Sequence, residues 1–239
     1  MEVITRNSLA YRIIGLYRAQ YKNTDSLSLR LVKSWIDSAR ALLVKQKLDK
    51  SILGIDETFV QTLAPEGEPV RLEEVDSSLV SSLPARRYMK RTTIDIPRVL
   101  FIRGGTPAFT RIGPVDRLEY KFKPVSYETA LTSGFGKFNS KDIYCFYLDN
   151  RIYITARDLN YFKHIEYIDI KGVFHYPAEV DALNDINYND DSPYPITPSM
   201  IDDIESIIVK TKFPFVQTGL ADTLGNERDD LVNVQLQQK

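Results

Sequence analysis

The helix breakers of this chain are gathered away from its start. None of the 12 prolines precedes Pro65, and of the 11 glycines only Gly15 and Gly54 do. Proline inside a helix removes a hydrogen bond and clashes with the preceding turn, and glycine costs about 1 kcal/mol relative to alanine. That first stretch is therefore where long helices can run without breakers. Their apolar spacing agrees: Leu9, Ile13, Leu16 and Tyr17 recur at helical intervals between Ser8 and Tyr17. A polar break, Lys22-Asn23-Thr24-Asp25-Ser26, follows. Leu31, Val32, Trp35, Ile36, Ala39, Leu42 and Leu43 then form a second stripe, with Arg30, Lys33, Asp37, Arg40 and Lys47 mostly opposite. Gly54 lies just beyond, where helices commonly stop. The spacing predicts a helical pair.

After Gly54 the period changes. Short β-rich runs lie at Phe59–Leu63, Val70–Val75, Tyr88–Ile96, Val99–Ile102, Phe109–Ile112 and Tyr120–Phe122. Pro65, Pro97, Gly104-Gly105 and Gly113-Pro114 separate them, as turns and edge positions require. The clearest hairpin joins Asp142–Leu148 to Arg151–Ala156 through Asp149-Asn150, two residue types that tolerate a left-handed turn. A further strand is expected over Ile165–Phe174, and one helical turn or more over Ser126–Leu131. Thr197-Pro198 reads as an N-cap and first helical position, ahead of an apolar stripe at Met200, Ile201, Ile204, Ile207 and Ile208. From Val216 onward apolar residues are sparse, so the tail is expected to be extended or ordered only by a partner. The class is α+β: an N-terminal helical hairpin (1–57), a central antiparallel β-rich region (58–176), and a C-terminal helix with an extended tail (177–239). These segments stand as three parts or as one compact domain.

Composition removes several classes of function. The 239 residues carry a net charge of −1, which argues against coating nucleic acid through bulk charge. Cys145 is the only cysteine, so no intrachain disulfide forms and a reducing compartment fits. The first residues have no apolar core with a small-residue cleavage site, and no apolar run approaches the ~18 residues of a membrane span. The charges are nonetheless segregated. Residues 1–50 and 86–123 are strongly basic, 51–85 and 178–239 strongly acidic, and 124–177 balanced. Such blocks are either solvated surfaces or complementary faces between neighbouring subunits.

No catalytic or metal-binding constellation emerges. His164 and His175 lie eleven residues apart, on opposite faces of any continuous strand, and neither has a second ligand at useful spacing. Cys145 sits in the apolar run Tyr144-Cys145-Phe146-Tyr147, as a buried thiol does. Ser133-Gly134-Phe135-Gly136-Lys137 lacks both the glycine spacing and the hydroxyl of a phosphate loop. Glu73, Glu74 and Asp76, or Asp202 and Asp203, supply paired carboxylates for a small carbohydrate-active hydrolase, but nothing places a pair across a cleft. The block Arg86-Arg87-Tyr88-Met89-Lys90-Arg91, continuing to Arg98, Arg103 and Arg111, either contacts phosphates in a nucleic-acid-binding module or pairs with an acidic neighbour. No cofactor is expected.

Several segments, in their order, resemble the head-to-tail connector proteins of short-tailed phages, particularly crAss-like phages. Residues 28–46, Ser28-Leu29-Arg30 through Lys45-Gln46, resemble the family's second helix. Val60-Gln61-Thr62-Leu63, Val70-Arg71-Leu72-Glu73-Glu74-Val75-Asp76 and Lys90-Arg91-Thr92-Thr93-Ile94-Asp95-Ile96-Pro97 are similar to its next landmarks. Phe109-Thr110-Arg111-Ile112-Gly113-Pro114-Val115-Asp116 resembles its aromatic-to-Gly-x-x-Asp turn, and Asp191-Ser192-Pro193-Tyr194-Pro195-Ile196 its approach to the last helix. One departure is that Ser77–Pro84 lacks the cysteine often found between the acidic and basic strands.

The resemblance implies a virion structural protein and no enzyme. It would assemble in the host cytoplasm as a ring, commonly of twelve copies, beneath the portal at the head-tail junction. There it would extend the channel for double-stranded DNA, help retain the genome, and offer a platform to further tail or ring proteins, with no membrane involved. Trp35 is the expected anchor of contacts between copies. Phe213, Phe215, Leu220 and Leu224 are expected to order against the portal or an adjacent subunit, and Arg86, Arg87, Lys90 and Arg91 form the expected basic partner face.

Overall fold

The computed structural model describes residues 4–21, 27–50, 55–75, 89–102, 105–132, 141–185 and 187–217. Its α-helices are α1 (Arg6–Tyr21), α2 (Leu29–Lys50), α3 (Tyr127–Thr132), α4 (Leu159–Phe162), α5 (Pro177–Asn184), α6 (Met200–Thr211) and α7 (Phe213–Gln217). Its strands are β1 (Gln61–Leu63), β2 (Val70–Glu74), β3 (Met89–Thr92), β4 (Phe101–Ile102), β5 (Thr106–Pro107), β6 (Phe109–Pro114), β7 (Lys123–Pro124), β8 (Ile143–Leu148), β9 (Arg151–Ala156) and β10 (Tyr167–Gly172). The α+β class holds. Contacts divide the chain into two units, residues 1–43 with 191–239, and residues 44–190. The division falls inside α2, and the two chain ends share one unit.

The helical unit is fastened by its own termini. Thr5 and Ser8 open α1 reciprocally: the Ser8 amide donates to Thr5 Oγ1 at 3.0 Å and the Thr5 amide to Ser8 Oγ at 3.1 Å. Leu9, Ala10, Ile13, Ile14 and Tyr17 form the buried row of α1, which contacts α6, whose own buried residues include Met200, Ile204 and Ile208. Phe213 of α7 completes this core, with its ring edge-on to Tyr17 at 5.0 Å. Arg12 Nε reaches Glu205 of α6 at 2.5 Å. The run 191–196 straps across both ends: Thr5 bridges Pro193, and the Tyr194 amide donates to the Ile4 carbonyl at 2.9 Å. The last long helix starts later than Thr197-Pro198 suggests. Those residues form a turn, closed by the Met200 amide on the Thr197 carbonyl at 2.9 Å, and Thr197 Oγ1 lies 3.1 Å from Ser199 Oγ instead of capping the helix.

In the second unit, eight strands make one curled sheet, ordered β1-β10-β2-β3-β9-β8-β7, with β6 also on β10. Neighbours are antiparallel except β7 and β8, which run parallel. Register explains the branch. β6 pairs with residues 168–172 of β10, while β1 takes 170–172 and β2 takes 167–168. One edge of β10 thus holds β6, and the other holds β1 and β2 end to end. The two ends of the sheet meet: just before β7, the Phe122 amide donates to the Ile112 carbonyl of β6 at 2.8 Å. Gly113 permits this approach, because a Cβ there would lie 2.5 Å from the Tyr120 carbonyl oxygen.

Both faces of the β8–β9 hairpin are covered. Ile143, Cys145, Ile152, Ile154 and Ala156 share one face by register, and all are buried. On the other, Phe146 and Tyr153 stack at 5.2 Å and pack with Met89 and with Ala130 of α3. The turn residues Asp149 and Asn150 take φ of 49° and 59°, the left-handed pair that a two-residue hairpin needs. Elsewhere most strands are shorter than their β-rich runs, β6 runs two residues past Ile112 to Pro114, and Tyr120–Phe122 pairs only as it leads into β7. Helices α4, α5 and α7 have no counterpart in the sequence reading, and α7 takes in Val216 and Gln217, the first residues of the expected extended tail. In α5, Asn184 caps the outer side of β1: its Nδ2 donates to the Thr62 carbonyl at 2.8 Å, and its Oδ1 accepts from the Ala64 amide at 2.7 Å.

Candidate interaction surfaces

The segregated charges meet within the chain. In the helical unit, the basic first block touches the acidic last block through Arg12, which contacts Glu205 and, at 3.4 Å, Asp202. In the sheet unit, antiparallel pairing of β2 with β3 sets Glu73 opposite Arg91. Arg91 Nε lies 2.5 Å from Glu73 Oε1, and that hydrogen bond holds the guanidinium more firmly protonated than usual. Arg151 joins the network, 3.4 Å from Glu73 and 2.9 Å from Asp95. Part of the charge segregation is thus spent in strand pairing and helix packing.

The expected basic face is not assembled by its described members. Lys90 and Arg91 are consecutive on β3 and point to opposite sides. Lys90 is buried on the Ile154 side of the sheet. Its ammonium donates to the Lys163 carbonyl at 2.9 Å and the Ile165 carbonyl at 2.7 Å, and lies 5.5 Å from the Phe162 ring centre. It therefore satisfies two carbonyls of the segment that follows α4, while burial lowers its pKa. Arg86 and Arg87 lie outside the described residues, as do Arg103 and Asp76.

The residues expected at subunit or portal contacts separate as well. Phe213 is fully buried in its own helical unit, beside Tyr17 and Tyr21. Phe215 lies in α7, and Leu220 and Leu224 fall outside the described residues. Trp35 is half-buried. It lies in line along α2 with Leu31, 43% exposed, and Leu42, 48% exposed. At 100° per residue, positions 31, 35, 38 and 42 share one side of a helix. The opposite side carries the buried Val32, Ile36, Arg40 and Val44.

A buried polar knot fixes this helix within its unit. Tyr194 donates its hydroxyl to Asp37 Oδ1 at 2.7 Å, Arg6 pairs with Asp37 Oδ2, and Arg40 Nε donates to the Pro195 carbonyl at 3.0 Å. The Arg40 guanidinium also lies 5.7 Å from the centre of the Tyr194 ring. The segment 191–196, noted in the sequence only as an approach to the last helix, is thus what closes the helical unit.

A cleft lies in the sheet unit. It has a volume of about 620 Å³ and is lined by Glu68, Pro69, Val115, Asp116, Glu166 and Tyr167, among others. Val115 and Tyr167 are each about 40% exposed. Beside it, the Tyr161 hydroxyl donates to Asp116 Oδ1 at 3.1 Å, and the Arg117 guanidinium stacks 4.2 Å from the Tyr161 ring centre. Burial, followed by the Asp116 bond, pushes the Tyr161 hydroxyl up to about 12. Among the described residues the cleft has carboxylates and apolar walls, but no nucleophile with an adjacent base.

The other chemical candidates are dispersed. Cys145 is buried, and desolvation pushes its thiol up to about 12, so it stays protonated and unreactive. His164 is exposed at the cleft, whereas His175 is half-buried beyond the other end of β10. Among the described residues, no three His, Cys, Asp or Glu side chains are arranged to hold a metal ion. None of their helices is long and apolar enough to cross a membrane.

A family model described as phage tail ring protein 2 matches residues 8–231. No curated protein matches. The matched span runs through both units, from the first turn of α1 past the end of α7.

Proposed function

This chain belongs to the phage tail ring protein 2 family, and from that premise we propose that it forms the head-to-tail connector ring beneath the portal. Family membership makes it a structural protein of a bacteriophage tail ring. The finer reading is ours: about twelve copies assemble in the host cytoplasm, extend the channel through which double-stranded DNA passes, and present a docking platform to the next tail component. Its place in the virion is then the head-tail junction, with the portal above and further tail or ring proteins below.

The observation that carries this reading is a family match covering almost the whole chain. The surfaces agree with its mechanical demands. A connector must transmit load without unfolding, and the helical unit is knotted by buried ion pairs and hydrogen bonds while the sheet closes on itself. A DNA channel must let its cargo slide, and Lys90 is drawn inside while Arg91 is paired on the sheet. These uses of charge give no support to a nucleic-acid-binding module. The hydrolase reading gains no support either, since Glu73 lies between two arginines and Asp202 faces Arg12.

Mass photometry of the chain mixed with the preformed portal ring of the same phage tests this. The expected result is a species heavier than the portal by a whole number of 27.4 kDa subunits, saturating near twelve. Failure to bind the portal at any salt concentration, while binding another tail ring, would move the protein lower in the tail and overturn the connector assignment.

A further inference from the structure

Two surface features remain unused by the packing of their own units. The first is the Leu31–Trp35–Leu42 ridge of α2. It runs about 16 Å along the helix, at 1.5 Å per residue, and turns two large aliphatic side chains and part of an indole outward. Exposed basic residues flank it, with Arg30 at one end and Lys45 one turn beyond Leu42. Single exposed leucines are ordinary, but three large apolar side chains in line on one helix form a docking face. Tryptophan at the middle of such a patch is the residue type that most often dominates interface energy.

The second is the cleft of the sheet unit. Pro69, Val115 and Tyr167 give it apolar walls, and Glu68 and Glu166 give it outward carboxylates, while Asp116 is already engaged by Tyr161 and lies 4.0 Å from Arg117. Its volume of about 620 Å³ holds several side chains. Apolar surface answers apolar surface, and carboxylates answer the arginine and lysine beside the ridge.

We propose that in the assembled ring the α2 ridge of one copy seats in the acidic cleft of a neighbouring copy. This rests on the ring reading above and names the contact that builds it. The occupant of the cleft is a second copy of this chain because both complementary faces are carried by the same polypeptide. A contact between two different faces repeats from copy to copy and closes into a ring, which a contact of one face with itself does not do. The charges set register and speed docking, while the leucines and Trp35 supply most of the adhesion. A stable interface buries about 1,200–2,000 Å², so ridge and cleft form the centre of the contact and its polar rim extends beyond them.

Complementation between two full-length variants tests the proposal. Leu42→Asp spoils the ridge and leaves the cleft intact; Glu68→Lys with Glu166→Lys spoils the cleft and leaves the ridge intact. All three positions are exposed, and thermal melts check that the fold is kept. Assembly is followed by mass photometry, with the portal ring as template where the wild type requires one. Each variant alone is expected to need at least about tenfold more protein than the wild type to form rings. Mixed together, they retain one good contact per pair and stop at two copies. Lys45→Glu, combined with Glu166→Lys in one chain, is expected to recover part of the assembly that either change loses. If both variants form rings as readily as the wild type, the contact lies elsewhere and this proposal falls while the ring reading stands. If the wild type forms no ring, alone or on any tail partner, both fall.

Discussion

Asp37 concentrates the polar burden of the helical unit. Almost wholly buried, it accepts hydrogen bonds from Tyr194 and Arg6. Burial outweighs both bonds and the Arg6 charge, so its carboxyl titrates above the usual 3.8. Between those two pH values the folded chain holds a proton that the unfolded chain has released. Asp37 therefore adds stability as the pH falls through that window, and loses this contribution as the pH rises. The Tyr194 hydroxyl opposes the shift by favouring the charged form. Tyr194→Phe removes the bond and leaves a buried carboxylate oxygen unpaired, at a cost of about 1–3 kcal/mol. Without that bond the Asp37 pKa rises further, so the variant gains more on acidification than the wild type does. Urea denaturation of both chains at pH 7 and stepwise down to 4 is expected to show a deficit that is largest at pH 7 and narrows with acid. A deficit that widens instead would mean that the hydroxyl does not favour the ionised carboxylate.

At the scale of elements, closure of the sheet depends on one close backbone approach. The segment leading into β7 reaches β6 through the Phe122 amide, and the Tyr120 carbonyl passes over Gly113 with no space for a side chain. Arg111 braces the same region, with Nε 2.8 Å from Asp169 and the guanidinium also donating to the Leu118 carbonyl. Gly113→Ala must displace backbone, for a loss of about 1–3 kcal/mol. Gly15 is the contrast: it lies in α1 with nothing near its missing Cβ, so Gly15→Ala should gain about 1 kcal/mol. Thermal melts of the two variants, with hydrogen exchange at the Phe122 amide, check the pair of expectations; equal shifts in one direction would contradict the closure argument. Elements of this kind were legible where a local rule suffices. The β8–β9 hairpin follows from alternation around Asp149-Asn150, and α2 is a helix as its stripe predicts, but its buried side is turned from the expected one: Asp37 and Arg40 are buried while Leu31 and Leu42 are exposed. Lys90 was not legible, because a lysine in a basic run reads as surface until the segment that follows α4, more than seventy residues later, brings two carbonyls to it. Helix α5 was missed for a similar reason: its eight residues bury only Pro177 and Val180 as a face, too few to make a period.

The whole molecule pairs its beginning with its end. Taken in order, residues 1–57 and 177–239 look like separate parts, and their opposite charge looks like an invitation to a neighbouring subunit. Arg12 on Glu205 shows those charges meeting within one unit, and the Asn7–Asp191 hydrogen bond and the Tyr194 strap tie the same two ends together. No local pattern announces a contact across about 190 residues, so the arrangement had to be seen. It also has a consequence for folding. The buried row of α1, Leu9 to Tyr17, is covered by α6 and Phe213. A 16-residue helix stripped of such a partner is marginal in water. The unit of residues 44–190, by contrast, contains every described strand and its own buried rows. A chain ending at residue 190 is therefore expected to lose hydrogen-exchange protection along α1 while β8 and β9 keep theirs. Loss of protection in both places would mean that the two units fold only together; retention in both would mean that α6 and α7 are not what holds α1.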